Sequence, residues 1–133
     1  MKKVTLIILL NIVSVSLIGQ TTEKTYYVKG VSNGPTYCYQ VTELIIKPNS
    51  DYELNSYGCG DKKQWKEYKK WKTEKSLGKI TKSGEYYTLT EYRNGNKTDL
   101  VWNCKIKNKA VIFYLDLGNG KMRRTAKYKR TSW

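Results

Sequence analysis

The chain contains no histidine, only one phenylalanine and far fewer acidic than basic residues. Histidine is the usual general base near neutral pH and the commonest metal ligand, so its absence excludes a Ser-His-Asp or Cys-His catalytic arrangement. The few carboxylates stand singly at predicted strand and turn positions, which gives no recognisable pair for glycoside hydrolysis. A zinc site is not expected either, because the chain has no Cys-x-x-Cys pair. We therefore expect a protein that is not an enzyme and that holds no metal and no cofactor.

The start of the chain has the pattern of an export signal. Lys2 and Lys3 are followed by an apolar run with polar interruptions at residues 4–18, and Gly19 supplies a small residue for cleavage. A membrane span needs about 20 apolar residues, and this interrupted run is too short. We predict a signal peptide at residues 1–20, a single domain at residues 21–133, and a secreted or periplasmic location with no membrane span after cleavage.

The excess of lysine and arginine indicates which partners the protein favours. The 25 basic and 11 acidic residues give a formal net charge of +14, to which Lys2 and Lys3 contribute within the predicted signal peptide. A strongly basic protein outside the cytoplasm favours anionic polymers such as lipopolysaccharide, acidic glycans or released nucleic acid. Alternatively, the lysines only keep a β-rich protein soluble and its strand edges unpaired. The sequence does not indicate an oligomeric state.

Three cysteines, Cys38, Cys59 and Cys104, follow the predicted signal peptide. In an oxidising compartment one pair is expected to form a disulfide and one thiol to remain. We favour Cys38–Cys59, because both residues lie in the N-terminal part and would join two early strands, while Cys59–Cys104 stays open as an alternative. Cys104 lies in an apolar stretch, which predicts a small side chain buried in the core.

Turn signals recur at short intervals and separate runs that are rich in Tyr, Val, Ile and Thr. Such runs favour half-buried strands, and Asn94-Gly95 is the strongest hairpin signal because a type I′ turn needs positive φ at both positions. We therefore predict an all-β fold, an antiparallel meander of about eight strands that closes into a barrel. Alternation along the second strand predicts that Glu43 faces solvent. The predicted strands span residues 25–31, 36–47, 52–57, 77–82, 86–93, 98–107, 110–117 and 122–130.

One lysine-rich segment, residues 61–75, interrupts the strand pattern. Asp61 is a suitable N-cap, and Trp65, Tyr68 and Trp71 recur every three residues, which predicts a short helix with one aromatic stripe. We expect this helix to close one mouth of the barrel with its aromatic side chains. The alternatives are a patch that binds a membrane surface or an anionic ligand, and a long loop without helix.

Several short motifs follow one another from Asp51 to the end of the chain. Together they resemble the pattern of the small bacterial lipocalin-like secreted domains, a group within the calycin type of β-barrel. The resemblance implies a meander barrel whose interior can hold a small apolar or amphipathic ligand, and it implies no catalytic residue. The motifs are Asp51-Tyr52-Glu53-Leu54, the glycine-bounded residues 78–84, Tyr87-Thr88-Leu89-Thr90, Ile106, Val111-Ile112-Phe113 and Tyr128-Lys129.

Three functions are compatible with these observations. The preferred one is an exported binding protein with a small ligand in a lipocalin-like barrel, where Trp65, Tyr68 and Trp71 close the mouth and Trp102 lines the interior with inward-facing tyrosines. The order of three strands, a helix and further strands also occurs in the OB-fold, which would imply a basic module that binds anionic glycan, lipopolysaccharide or nucleic acid. The third is a module of the envelope that contacts or inhibits another protein.

Overall fold

A computed structural model describes residues 22–33 and 37–130 of the chain. Eight antiparallel strands follow one another in chain order around a closed barrel, which confirms the predicted fold class. The predicted signal peptide at residues 1–20 lies outside the described residues. The strands are β1 (Lys24–Asn33), β2 (Tyr37–Ile46), β3 (Asp51–Gly60), β4 (Lys72–Ser83), β5 (Tyr86–Arg93), β6 (Asn96–Ile106), β7 (Ala110–Asp116) and β8 (Met122–Lys129), and a short 3₁₀ helix, η1 (Lys62–Lys70), lies between β3 and β4.

Tight turns explain why neighbouring strands are antiparallel. Asn94 and Gly95 have φ angles of 51° and 78° and connect β5 to β6, as the Asn-Gly hairpin signal predicts. The consecutive strand order also distinguishes this barrel from the OB-fold, which is a five-stranded Greek-key barrel.

The barrel interior is a hydrophobic core to which all eight strands contribute. Ile80 of β4 and Tyr128 of β8 are partly buried and pack against it, so the face that these residues share is the inner face of the wall. Tyrosine therefore fills part of the interior, as expected from the composition. The buried members of the core are Tyr26, Leu44, Ile46, Tyr52, Leu89, Cys104, Val111 and Phe113.

The cysteines adopt the arrangement that the sequence favoured. Cys38 of β2 and Cys59 of β3 form a disulfide, with their Cα atoms 4.5 Å apart, which excludes the Cys59–Cys104 alternative. Cys104 is a free thiol buried in the core. Burial raises the pKa of the Cys104 thiol to about 12, so the thiol stays protonated at neutral pH and behaves as a small hydrophobic side chain.

The lysine-rich segment is helical over a shorter range than predicted. η1 ends at Lys70 and β4 begins at Lys72, so residues 72–75 are strand and not helix. These residues continue the ladder between β3 and β4. A run of charged residues carries no alternation of apolar side chains, which explains why this part of the strand has no signal in the sequence.

Candidate binding face

Defined caps begin and end η1. The Asp61 carboxylate accepts a hydrogen bond of 2.9 Å from the backbone N–H of Lys63, which confirms Asp61 as the N-cap. At the other end the backbone N–H of Trp71 donates to the carbonyl of Tyr68 at 2.9 Å. Gln64 and Glu67 have non-helical φ and ψ angles and Trp71 is extended, so η1 is irregular, and ring contacts of Trp65, Tyr68 and Trp71 show that these side chains share one side.

Tyr68 anchors η1 to the barrel. Its hydroxyl donates a hydrogen bond to the Glu43 carboxylate of β2, and its ring packs edge-on against Tyr57 of β3, with 5.1 Å between ring centroids. Lys69 Nζ lies 3.9 Å from the same carboxylate, which is only 5% exposed. Burial and then the hydrogen bond to Glu43 raise the pKa of the Tyr68 hydroxyl, so Tyr68 remains a neutral donor.

Trp65 of η1 and Trp71, the C-cap of η1, pack against each other and against the sheet. The ring centroids of Trp65 and Trp71 are 5.5 Å apart, and Tyr39 meets Trp65 edge-on at 5.6 Å. Lys29 Nζ lies 5.2 Å from the centroid of the Trp65 ring, in a cation–π contact. A Cβ atom at Gly60 would overlap the Trp71 ring, so this contact requires glycine. The helix is thus fixed at both of its ends.

This aromatic cluster lies on the outer wall of the barrel. Side chains alternate along β2, and Leu44 faces the core, so Glu43 faces outward. The structure therefore places Trp65, Tyr68 and Trp71 on the wall and not at the mouth, where we expected them. The prediction that Glu43 faces solvent is wrong: its side chain leaves the outer face of β2, but η1 covers it and leaves it 4% exposed. The local pattern of β2 cannot reveal this, because the covering segment comes from the later connection between β3 and β4.

The outer side of η1 carries lysine. Lys70 pairs with Glu67 at 3.6 Å and Lys69 with Glu43 at 3.9 Å, but within residues 22–33 and 37–130 no ion pair involves the exposed lysines 62, 63, 66 and 72. The helix thus presents cationic groups to solvent while its aromatic side chains face the wall. We call this surface the basic η1 face, which comprises Lys62, Lys63, Lys66 and Lys72.

Trp102 lies apart from the basic η1 face, at an open part of the wall. It pairs with Leu89 across β5 and β6 and so shares the inner face with that buried residue, yet it is 45% exposed. The ladder between β6 and β7 extends only as far as Asn103, so β7 does not cover the Trp102 ring. The structure does not bring Trp102 together with the aromatic residues of η1.

Glu91 is a buried carboxylate on β5 that sequence reasoning missed. It accepts hydrogen bonds from Thr98 (3.0 Å), Ser76 (3.1 Å) and Arg93 (3.2 Å). Burial opposes its charge, but the hydrogen bonds from Thr98 and Ser76 and the charge of Arg93 outweigh burial and lower the pKa of Glu91. Residues two apart in a strand share a face, and Glu91 is two residues from the apolar Leu89. This spacing was the one signal in the sequence that Glu91 faces inward. Since its partners all belong to this chain, Glu91 supports the wall and does not provide a free acid.

A pocket of about 480 Å³ opens between the strands β3, β4 and β5. Gly78 forms part of its lining, and a Cβ atom there would lie 2.6 Å from the Tyr52 ring, so glycine lets the strand pass over that ring. Lys79 Nζ lies 5.9 Å from the centroid of the Tyr92 ring. The pocket thus combines apolar surface with cationic groups. Its lining residues are Lys47, Asp51, Tyr52, Leu77, Gly78, Lys79, Tyr92 and Gly95.

Comparison with protein-family models, with curated proteins and with solved structures finds no match to this chain. In the part of the chain that the structure describes, no helix has the length and apolar character that crossing a membrane requires. The function of this protein must therefore be inferred from the charges and side chains of the basic η1 face and of the pocket.

Proposed function

We propose that this protein is an exported, non-catalytic binding protein that holds an anionic polymer on the basic η1 face. The observation that carries the proposal is a set of exposed lysines on a helix that Tyr68, Trp65 and Trp71 fix to the barrel wall. Because the helix is held in place before binding, less conformational entropy is lost when a repeating anion docks along it.

The charge of the whole molecule supports the same class of ligand. The formal net charge is +14, and the six ion pairs of the described residues engage only a minority of the cationic side chains. Such an excess attracts polyanions at long range and raises the rate of encounter. The disulfide Cys38–Cys59 supports export, because disulfides persist in oxidising compartments.

A comparison of two variants, each with three lysines replaced by glutamine, tests this proposal. We expect K62Q/K63Q/K66Q to bind dextran sulfate about tenfold more weakly than the wild type in a fluorescence titration, with uncharged dextran as the polymer control. The matched variant K107Q/K109Q/K129Q removes the same charge from exposed positions at the opposite end of the barrel and should bind nearly as the wild type does. Equal weakening of both triples would show that net charge alone binds the polymer and would reject the basic η1 face.

A small amphipathic ligand is the second candidate, and the pocket between β3, β4 and β5 favours it. Tyr92 and Leu77 offer apolar surface, while Lys47 and Lys79 could pair with an anionic headgroup. This function would agree with a lipocalin-like barrel, for which the eight-stranded meander is a compatible architecture.

Dodecanoate is a suitable probe for this second function. We expect it to bind the wild type in native mass spectrometry, and L77E to weaken binding because its carboxylate would repel the headgroup beside the two lysines. V31E places the same charge at an exposed apolar residue of β1, outside the pocket, and should leave dodecanoate binding unchanged. Binding that is identical in the wild type and both variants would exclude this pocket.

A further inference from the structure

The hairpin of β7 and β8 separates from its neighbours at one end of the barrel. β6 and β7 pair at four positions and the ladder stops at Asn103↔Tyr114, although β6 extends back to Asn96. On the other side of the hairpin, β8 meets β1 at Tyr27↔Lys129 among the described residues. Among the described residues, the segment 115–124 is therefore paired only within its own hairpin, and we call it the β7–β8 arm.

Large apolar side chains are exposed along the gap between β6 and this arm. They account for four of the seven large hydrophobic residues that are exposed in the described part of the chain, while Val101 of β6 faces the other side of the strand. If the ladder continued beyond Asn103↔Tyr114, Trp102 would lie opposite Leu115 and Leu100 opposite Leu117. A contiguous exposed apolar patch in a protein of this size typically marks a site of interaction. We call this gap the β6–β7 cleft, and its apolar residues are Leu100, Trp102, Leu115 and Leu117.

The backbone of the cleft indicates what kind of ligand fits. Alternate residues of an antiparallel strand direct their N–H and C=O groups to one side, and no strand of the described chain pairs with residues 96–102 of β6 on the side away from β5. An acyl chain would cover the apolar side chains but leave these backbone groups without partners. An added strand would satisfy both the backbone groups and the apolar side chains.

The positive charge around the cleft favours an acidic peptide over a basic one. Lys97 lies on β6 beside the residues that lack a partner strand, and Lys121, Arg123 and Arg124 lie on the β7–β8 arm. No ion pair among residues 22–33 and 37–130 involves any of these four cations. A second copy of this chain carries the same net charge of +14 and is repelled, whereas an acidic segment is attracted.

We propose that the β6–β7 cleft binds an extended, acidic segment of a partner protein by strand addition to β6. The segment carries apolar side chains at alternate positions, which pack against Trp102 and the leucines of the cleft, and its carboxylates face Lys97 and the arginines of the arm. This interaction is independent of polymer binding, because the cleft shares no residue with the basic η1 face.

A synthetic peptide in which leucine alternates with glutamate tests the proposal. We expect it to slow amide hydrogen exchange at residues 96–102 and to bind L117E at least tenfold more weakly than the wild type. V31E is the control, because Val31 of β1 belongs to neither the cleft nor the pocket and its exposure is similar to that of Leu117, 44% against 53%, so V31E should bind the peptide as the wild type does. A peptide with lysine in place of glutamate, or with alternate backbone nitrogens methylated, should not bind.

Three results would overturn the proposal. Equal affinity of V31E and L117E for the peptide would place the peptide elsewhere. Protection of the cleft by dodecanoate but not by the peptide would assign it to a small apolar ligand. A dimer in sedimentation equilibrium that L117E dissociates would assign the cleft to a second copy of this chain.

Discussion

Single residues show how charge is stabilised in this barrel. Glu91 is 4% exposed and is held by Ser76, Thr98 and Arg93, so a carboxylate in the wall keeps its charge. Glu53 shows the same effect at a more exposed position, where Lys75 at 3.0 Å lowers the pKa of its carboxyl. Each carboxylate is paired within the chain, and each therefore makes stability depend on pH.

The Glu91 carboxylate predicts a loss of stability in acid. The pKa of Glu91 is lower in the folded than in the unfolded protein. Its contribution to the free energy of unfolding is therefore fully present above the unfolded pKa and is lost as the pH falls through the folded pKa. This loss begins below about pH 5. We expect E91Q to show a smaller difference in the free energy of unfolding between pH 7 and pH 3 than the wild type, measured by urea denaturation. E74Q, at an exposed position of β4, should retain the wild-type difference, and an unchanged difference in E91Q would contradict the assignment.

At the scale of elements, the 3₁₀ helix η1 depends on tertiary contacts with the wall. Its aromatic side chains pack on β2 and β3, and Gly60 provides the space for Trp71. A helix of this type has poor internal hydrogen-bond geometry and is stable only over short stretches. The hydrogen bond between Tyr68 and Glu43 is one link that holds η1 in place, beside the packing of Trp65 and Trp71.

Removal of the Tyr68 hydroxyl should weaken this link. We expect Y68F to lower the free energy of unfolding by about 1–3 kcal/mol, because the buried Glu43 carboxylate loses its donor. E43Q keeps an acceptor at this position. The double variant E43Q/Y68F should lose less free energy of unfolding than the sum of the losses in the two single variants, since both changes act on one hydrogen bond. Strictly additive losses in this double-mutant cycle, measured by urea denaturation, would contradict the coupling.

The elements also show what could be predicted from sequence. The strand at residues 86–93 has the predicted bounds, because turn residues and alternating side chains mark both of its ends. The aromatic stripe of η1 was predictable from its spacing of three, but its place on the outer wall was not. That place depends on how the connection after β3 returns over Glu43, which is a tertiary feature. The start of β4 at Lys72 was also hidden, because charged residues carry no strand pattern.

At the scale of the whole molecule, the barrel combines a packed interior with two different exposed surfaces. The core fills the inside with side chains of all eight strands, the basic η1 face presents lysine on one wall, and the β6–β7 cleft exposes apolar side chains at another. This arrangement suits a scaffold that binds through its exterior. In our account, polymer binding depends on a few fixed lysines and not on the net charge of +14 alone.

The salt dependence of binding to a 20-nucleotide oligothymidine tests this central claim most directly. The slope of log Kobs against log salt concentration reports how many phosphates the protein neutralises, at about 0.7 for each contact on a single strand. We predict that K62Q/K63Q/K66Q reduces the magnitude of this slope by about 2, and that K107Q/K109Q/K129Q leaves it unchanged. Equal slopes for the two triple variants would contradict the account, because they would show that the polymer does not bind on the basic η1 face.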